Sequence, residues 1–248
     1  MTVNEILSYL KEKFPLEDAM PFDNVGLLVG DKDAKVSKVL IALDCTLELV
    51  KKALEIGAEL IVTHHPVIFN PLKNLLSGSV VYALTSNKIS VISMHTNLDA
   101  ANGGVNDCLC KTIGLLDVEP YFTEDGFAIR SARSNISNPD ALAEHLKQKL
   151  NTTVKYVEGS KPIEKLLVCS GSGGEFIYNA ISDGFDALIS ADIKHHEFLD
   201  AQNSGISIFD CGHFNTEDVV IEPLTDLLKN RFLTVQFTAY HNTNIKYK

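Results

Sequence analysis

Histidines are the residues of this chain best placed to do chemistry. His64 and His65 follow the apolar run Leu60-Ile61-Val62-Thr63, His95 follows Ile89–Met94, and His213 lies just past Ile206-Ser207-Ile208. His95 and His213 are each followed four residues later by a carboxylate, Asp99 and Glu217. Neutral imidazoles and carboxylates make a donor set for Zn, Mn, Fe or a similar first-row ion, and the thiolates of a structural zinc site are missing from it. Carboxylates can bridge two cations where neutral imidazoles cannot, so the set suits a pair of ions. Adjacent strand residues point to opposite faces, but Pro66 ends the strand, and each of two ions could take one imidazole. Taken singly, each of these histidines reads more readily as a hydrogen-bonded loop residue than as a ligand; taken together, the pattern leaves both roles open.

Other strings are weaker. Ser170-Gly171-Ser172-Gly173-Gly174 stands between a predicted strand and a predicted helix, where backbone N–H groups could hold an anion. It has no Gly-Lys-Ser/Thr, and Phe176 occupies the third glycine position of a dinucleotide fingerprint, so a tight turn is the favoured reading. Asp44 at a strand end could line the same crevice as the histidines, with Thr46 capping the helix that follows. Asn24 reads first as part of a turn closed by Gly26. The five cysteines form no Cys-x-x-Cys pair and are odd in number, which predicts reduced, mostly buried thiols. No Ser or Cys has a recognisable base beside it. Cys211, two residues before His213, is the strongest side-chain rival to an attacking water.

The elements that must position these residues alternate strand and helix. Val39–Leu43 predicts a strand, the apolar spacing from Leu47 to Ile56 a helix ended by Gly57, and Leu60–Thr63 a second strand, which together make a βαβ unit. Asn138 followed by Pro139 predicts a helix start. Ala53, Gly57 and Ile61 have counterparts 127 residues later in Ala180, Gly184 and Leu188, and each half ends a strand with His-x-x-x-carboxylate. The expected fold is α/β and two-lobed, with duplicated βαβ-type units. The lobes are predicted at 1–125 and 126–248, with the C-terminal segment packing back on the first. In such sheets ligands bind beyond the carboxyl ends of strands, which puts the metal site there, in the cleft between lobes.

Lys and Arg number 22 against 32 Asp and Glu, a net charge of −10, so neutralising a phosphate backbone is not the main task and nucleic acid is an unexpected partner. Apolar runs fall far short of the roughly 20 residues of a membrane span. Met1–Phe14 has the spacing of an amphipathic helix rather than of a secretory signal, which points to the cytoplasm.

Phe22-Asp23-Asn24-Val25-Gly26-Leu27-Leu28-Val29-Gly30, Thr63-His64-His65-Pro66, His95-Thr96-Asn97-Leu98-Asp99, Ser190-Ala191-Asp192-Ile193-Lys194-His195-His196-Glu197 and Asp210-Cys211-Gly212-His213-Phe214-Asn215-Thr216-Glu217 occur in that order. Together they resemble the GTP cyclohydrolase 1 type 2 family, also called Nif-three-like dinuclear metal proteins. The resemblance runs from near residue 5 to beyond residue 235. It implies two divalent ions per subunit held by His64, His65, Asp99, His213 and Glu217, and a ring-shaped homohexamer. His95 is expected to hydrogen-bond a ligand, with direct metal contact as the other option. His195 and His196 are candidates for substrate contact or proton transfer. The implied activity is metal-dependent hydrolysis of a nucleotide or another phosphorylated small molecule, with GTP ring opening as the family's name suggests. The competing expectation is a non-enzymatic, oligomeric metal-binding scaffold or regulator.

Overall fold

The computed structural model of the protein describes residues 1–243. The chain begins α1 (Val3–Lys13), β1 (Gly26–Val29), β2 (Lys38–Ala42), α2 (Leu47–Ile56), β3 (Leu60–Thr63), α3 (Val80–Ser86), β4 (Ser90–Ser93) and α4 (Thr96–Ala100). It continues through α5 (Val105–Ile113), β5 (Leu116–Phe122), β6 (Ala128–Arg133), α6 (Pro139–Leu150), β7 (Lys155–Val157) and β8 (Lys165–Ser172). Then come α7 (Ile177–Ser182), β9 (Ala187–Ala191), α8 (His195–Ser204), β10 (Ser207–Asp210), α9 (His213–Glu217), α10 (Ile221–Arg231) and β11 (Gln236–Tyr240). Two compact units result, Met1–Ala101 with 221–243, and Asn102–Val220. The residues around 125, where the sequence predicts a boundary, form the turn of the β5–β6 hairpin, closed by Gly126 N–H to the Thr123 carbonyl at 2.9 Å. The divisions fall at 101/102 and 220/221 instead.

In the first unit the sheet order is β1-β4-β3-β2-β11, parallel throughout except for β1. β3 and β4 are buried along their whole length, which is why they read as continuous apolar or small runs rather than alternating ones. Leu40, Ala42, Ile61 and Val91 pack with Leu49, Val50 and Ala53 of α2 and Leu84 of α3. Thr46 caps α2 by accepting from Leu49 N–H, and Gly57, at φ 69°, ends it in the left-handed conformation that a side chain would strain. β11 joins the edge beside β2, so the C-terminal segment completes this sheet.

In the second unit the order is β5-β6-β8-β9-β10-β7, with β8, β9 and β10 parallel and the flanking pairs antiparallel. Alternation along the strands feeds two cores. Leu166, Val168, Ile189 and Phe209 face α5 and α6, while Leu167, Cys169, Leu188 and Ile208 face α7 and α8.

The two units share local bonding in detail. Val39 pairs with Leu60 across β2 and β3, and Leu166 with Ala187 across β8 and β9, each partner 127 residues on. Ala58 N–H reaches the Ala53 carbonyl at 2.8 Å and Phe185 N–H the Ala180 carbonyl at 2.9 Å, closing both helix ends alike. The Glu59 carboxylate accepts from Ser37 N–H and Lys38 N–H, and the Asp186 carboxylate from Glu164 N–H and Lys165 N–H. Among the described residues no helix is long and apolar enough to cross a membrane.

Candidate metal centre

His64 and His65 follow β3 directly, and His95 lies two residues past β4. The rings of His64, His65 and His95 lie with centroids 4.9 to 5.5 Å apart, and each offers a nitrogen within 4.8 Å of the others. The strand has ended at Thr63, so the alternation of faces no longer separates His64 from His65. His64 is 1% exposed, and its Nε2 stands 3.5 Å from Oδ1 of Asp99, buried in the short helix α4.

Each ring is held at Nδ1. His64 Nδ1 meets the Met94 carbonyl at 2.8 Å, His65 Nδ1 the Asp44 carboxylate at 2.7 Å and His95 Nδ1 the Asp23 carboxylate at 2.9 Å. A carbonyl only accepts, so His64 donates its Nδ1 proton, and in the neutral ring Nε2 presents a lone pair to the Asp99 carboxylate. Two acceptors facing each other in a buried place repel unless a proton or a metal cation lies between them, and Nδ1 held by carbonyl or carboxylate is how metal-binding histidines are oriented. The donor set therefore fits a metal ion.

The second unit repeats the device at the end of β10. His213 Nδ1 meets Asp192 at 2.8 Å, and its Nε2 stands 3.0 Å from Oε2 of Glu217, one helical turn on and 4% exposed. Asp192 lies at φ 52°, a conformation uncommon for residues other than Gly but tolerated best by Asp and Asn. The glycine string of β8 serves this pair. A Cβ on Gly171, at φ 60°, would collide with Oε1 of Glu217, so the missing side chain is what lets the carboxylate sit there. Gly173 and Gly174 likewise approach Cys169, Ser190 and Glu197 closely, so the loop is a tightly packed turn.

Asp23 is the junction of the first cluster. Burial alone would raise its pKa, but hydrogen bonds from His95 and Thr96 outweigh that and hold it down to about 2. Thr96 contributes both its N–H, at 3.0 Å, and its hydroxyl, at 2.5 Å. Asn24, beside it, donates to the Ile68 carbonyl at 2.6 Å rather than only shaping a turn.

His195 and His196 stand exposed in the first turn of α8 and join no cluster of metal-binding donors among the described residues. Cys211 is fully buried in the core with Phe209 and Ile189, and burial, reinforced by Asp210, pushes its thiol far up, so it is no nucleophile. Sequence reasoning passed over Asp23 and Asp192 as holders of histidine Nδ1. The only available signal was their place inside the strings around residues 23 and 192.

The family model for Duf34/NIF3 (NGG1p interacting factor 3) matches residues 1–245. A Clostridium perfringens protein named GTP cyclohydrolase 1 type 2 homolog is 34% identical over 242 residues, covering 93% of this chain and 92% of its own. A Campylobacter jejuni protein of the same name is 34% identical over 98% of both chains. Among solved structures, a Staphylococcus aureus hypothetical protein superimposes with a TM-score of 0.90 at 30% identity, covering 100% of this chain and 99% of that one. A matched model over nearly the whole chain, two relatives above 30% identity and the same fold place this chain in the Duf34/NIF3 family.

Proposed function

We propose that the chain is a metal-dependent hydrolase with two divalent ions per subunit, acting on a nucleotide or another phosphorylated small molecule. His64, His65 and Asp99 from the first unit and His213 and Glu217 from the second would hold the ions. The carrying observation is His64, whose Nδ1 is held by the Met94 carbonyl while its Nε2 stands 3.5 Å from the buried Asp99 carboxylate. The shared registers and end-caps support reading the two units as copies of one β-α-β-α-β-α module.

Two bound cations would supply Lewis acidity toward a polarised oxygen and a lowered pKa for the attacking water. This chain's own residues fix the donors. Asp44 and Asp192 keep the rings of His65 and His213 in one orientation, and Asp23 does so for His95, which would sit against the ligands or bind beside them. His195 and His196, exposed and in no donor group among the described residues, are assigned to substrate contact or proton transfer. The protein would assemble as a homohexamer. The five free cysteines fit a cytoplasmic location.

Hydrolysis of nucleotide and phosphoester panels by the metal-loaded protein tests the activity. Turnover that disappears in Asp99→Ala together with metal supports it. Full metal content with no turnover on any panel member would favour the scaffold reading, which the relatives' shared family name with an interacting factor keeps in view.

A further inference from the structure

Two large aromatic rings lie exposed beside the first donor cluster. Phe22 is 62% and Phe69 46% exposed, with ring centroids 6.3 Å apart at 51°, and the Phe69 ring meets His95 edge-on at 6.3 Å. Leaving two phenyl rings in water forgoes their burial, so their exposure beside a cluster of donors calls for an occupant. Their positions are set by the residues that set the cluster. Asp23, next to Phe22, holds His95 and Thr96, and Asn24 ties that same turn to the carbonyl of Ile68, next to Phe69.

We infer that Phe22 and Phe69 form a ledge on which a planar heteroaromatic ring of the substrate stacks, placing its reacting end at the histidine cluster. The inference rests on the metal centre proposed above. The rings stand at 51° with their centroids 6.3 Å apart, so they offer faces to stack upon rather than a slot to enter, which suits ring recognition without a fixed pattern of hydrogen bonds. A protein partner is the alternative occupant, because Leu72, Leu75 and Leu76 of the same segment are exposed too. The polar tethers favour the ring: they end at residues 22 to 24 and 68, at the cluster, and not along 72–76.

The test is calorimetric binding of GMP and of ribose 5-phosphate, which has the phosphate and sugar but no ring, to the protein with metal and after chelation. GMP is expected to bind about tenfold more tightly than ribose 5-phosphate, and Phe22→Ala or Phe69→Ala to weaken GMP roughly five- to tenfold, as lost stacking does. Both variants should keep their metal and their ribose 5-phosphate affinity. Phe69→Leu, with apolar bulk but no ring, should behave as Phe69→Ala. Equal affinity for the two probes, GMP affinity unchanged in the alanine variants, or full rescue by leucine would each overturn the inference. So would variants that change only the assembly size in sedimentation, which assigns the ledge to a protein partner. Metal content decides the centre and ring preference decides the ledge, so failure of one is distinguishable from failure of the other.

Discussion

Gly171 leaves the space that the Glu217 carboxylate fills: a Cβ there would collide with Oε1 of Glu217 and stand 3.3 Å from Cε1 of His213, on a backbone at φ 60°. Gly171→Ala is therefore expected to displace a metal ligand and to strain the end of β8. Metal analysis should show at least about half of the bound metal lost, and thermal unfolding a loss of roughly 1–3 kcal/mol. Full metal retention with unchanged stability would count against Glu217 as a ligand held by that space.

Asp44 and Asp192 each hold a histidine ring at Nδ1. Asp44→Asn and Asp192→Asn should each weaken metal binding about 10- to 100-fold in chelator competition while leaving the fold intact. An unchanged affinity in both would show that the rings need no such support.

Cys211→Ser is the control for a side-chain nucleophile. A hydroxyl in that sealed core should lower stability by about 1–3 kcal/mol, and the surviving folded protein should keep its metals and its turnover. Loss of turnover with both metals present would reinstate Cys211.

Glu59 gives the fold its own pH dependence, remote from the histidines. Burial raises its pKa, but hydrogen bonds from Lys38 N–H and from the hydroxyl and N–H of Ser37 lower it further, to a net value below 4.5. The folded value is depressed, so the stabilisation is complete above the unfolded pKa and is lost as pH falls through the folded one. Glu59→Gln should cost about 1 kcal/mol at pH 7, the low end for partly exposed charged hydrogen bonds. In denaturant titrations the gap to the parent chain should close as pH falls below 4.5.

Much of this was legible from the residues. Leu60–Thr63, the Leu47–Ile56 helix and the Asn138-Pro139 helix start stand where the sequence puts them, because burial on both faces, helical spacing and cap chemistry are local signals. Matching residues 127 apart were visible at Ala53, Gly57 and Ile61, though not in the carboxylates of Glu59 and Asp186, which differ in type while each accepts from two successive N–H groups. The sequence expects the C-terminal segment to pack back on the first lobe but does not mark β11 as a strand, because a strand completing a sheet from the far end of the chain leaves no local mark; its pairing with β2 goes with the division at 220/221. The ring-holding roles of Asp23 and Asp192 are tertiary. Their partners lie 72 and 21 residues away, and no spacing rule connects them.

Metal stoichiometry of the intact chain, reconstituted with Mn, Zn or Fe at neutral pH, tests the central claim most directly. Two ions per chain are predicted, with Asp99→Ala and Glu217→Ala each failing to retain the pair. One ion or fewer after reconstitution, or two ions retained by Glu217→Ala, would contradict it.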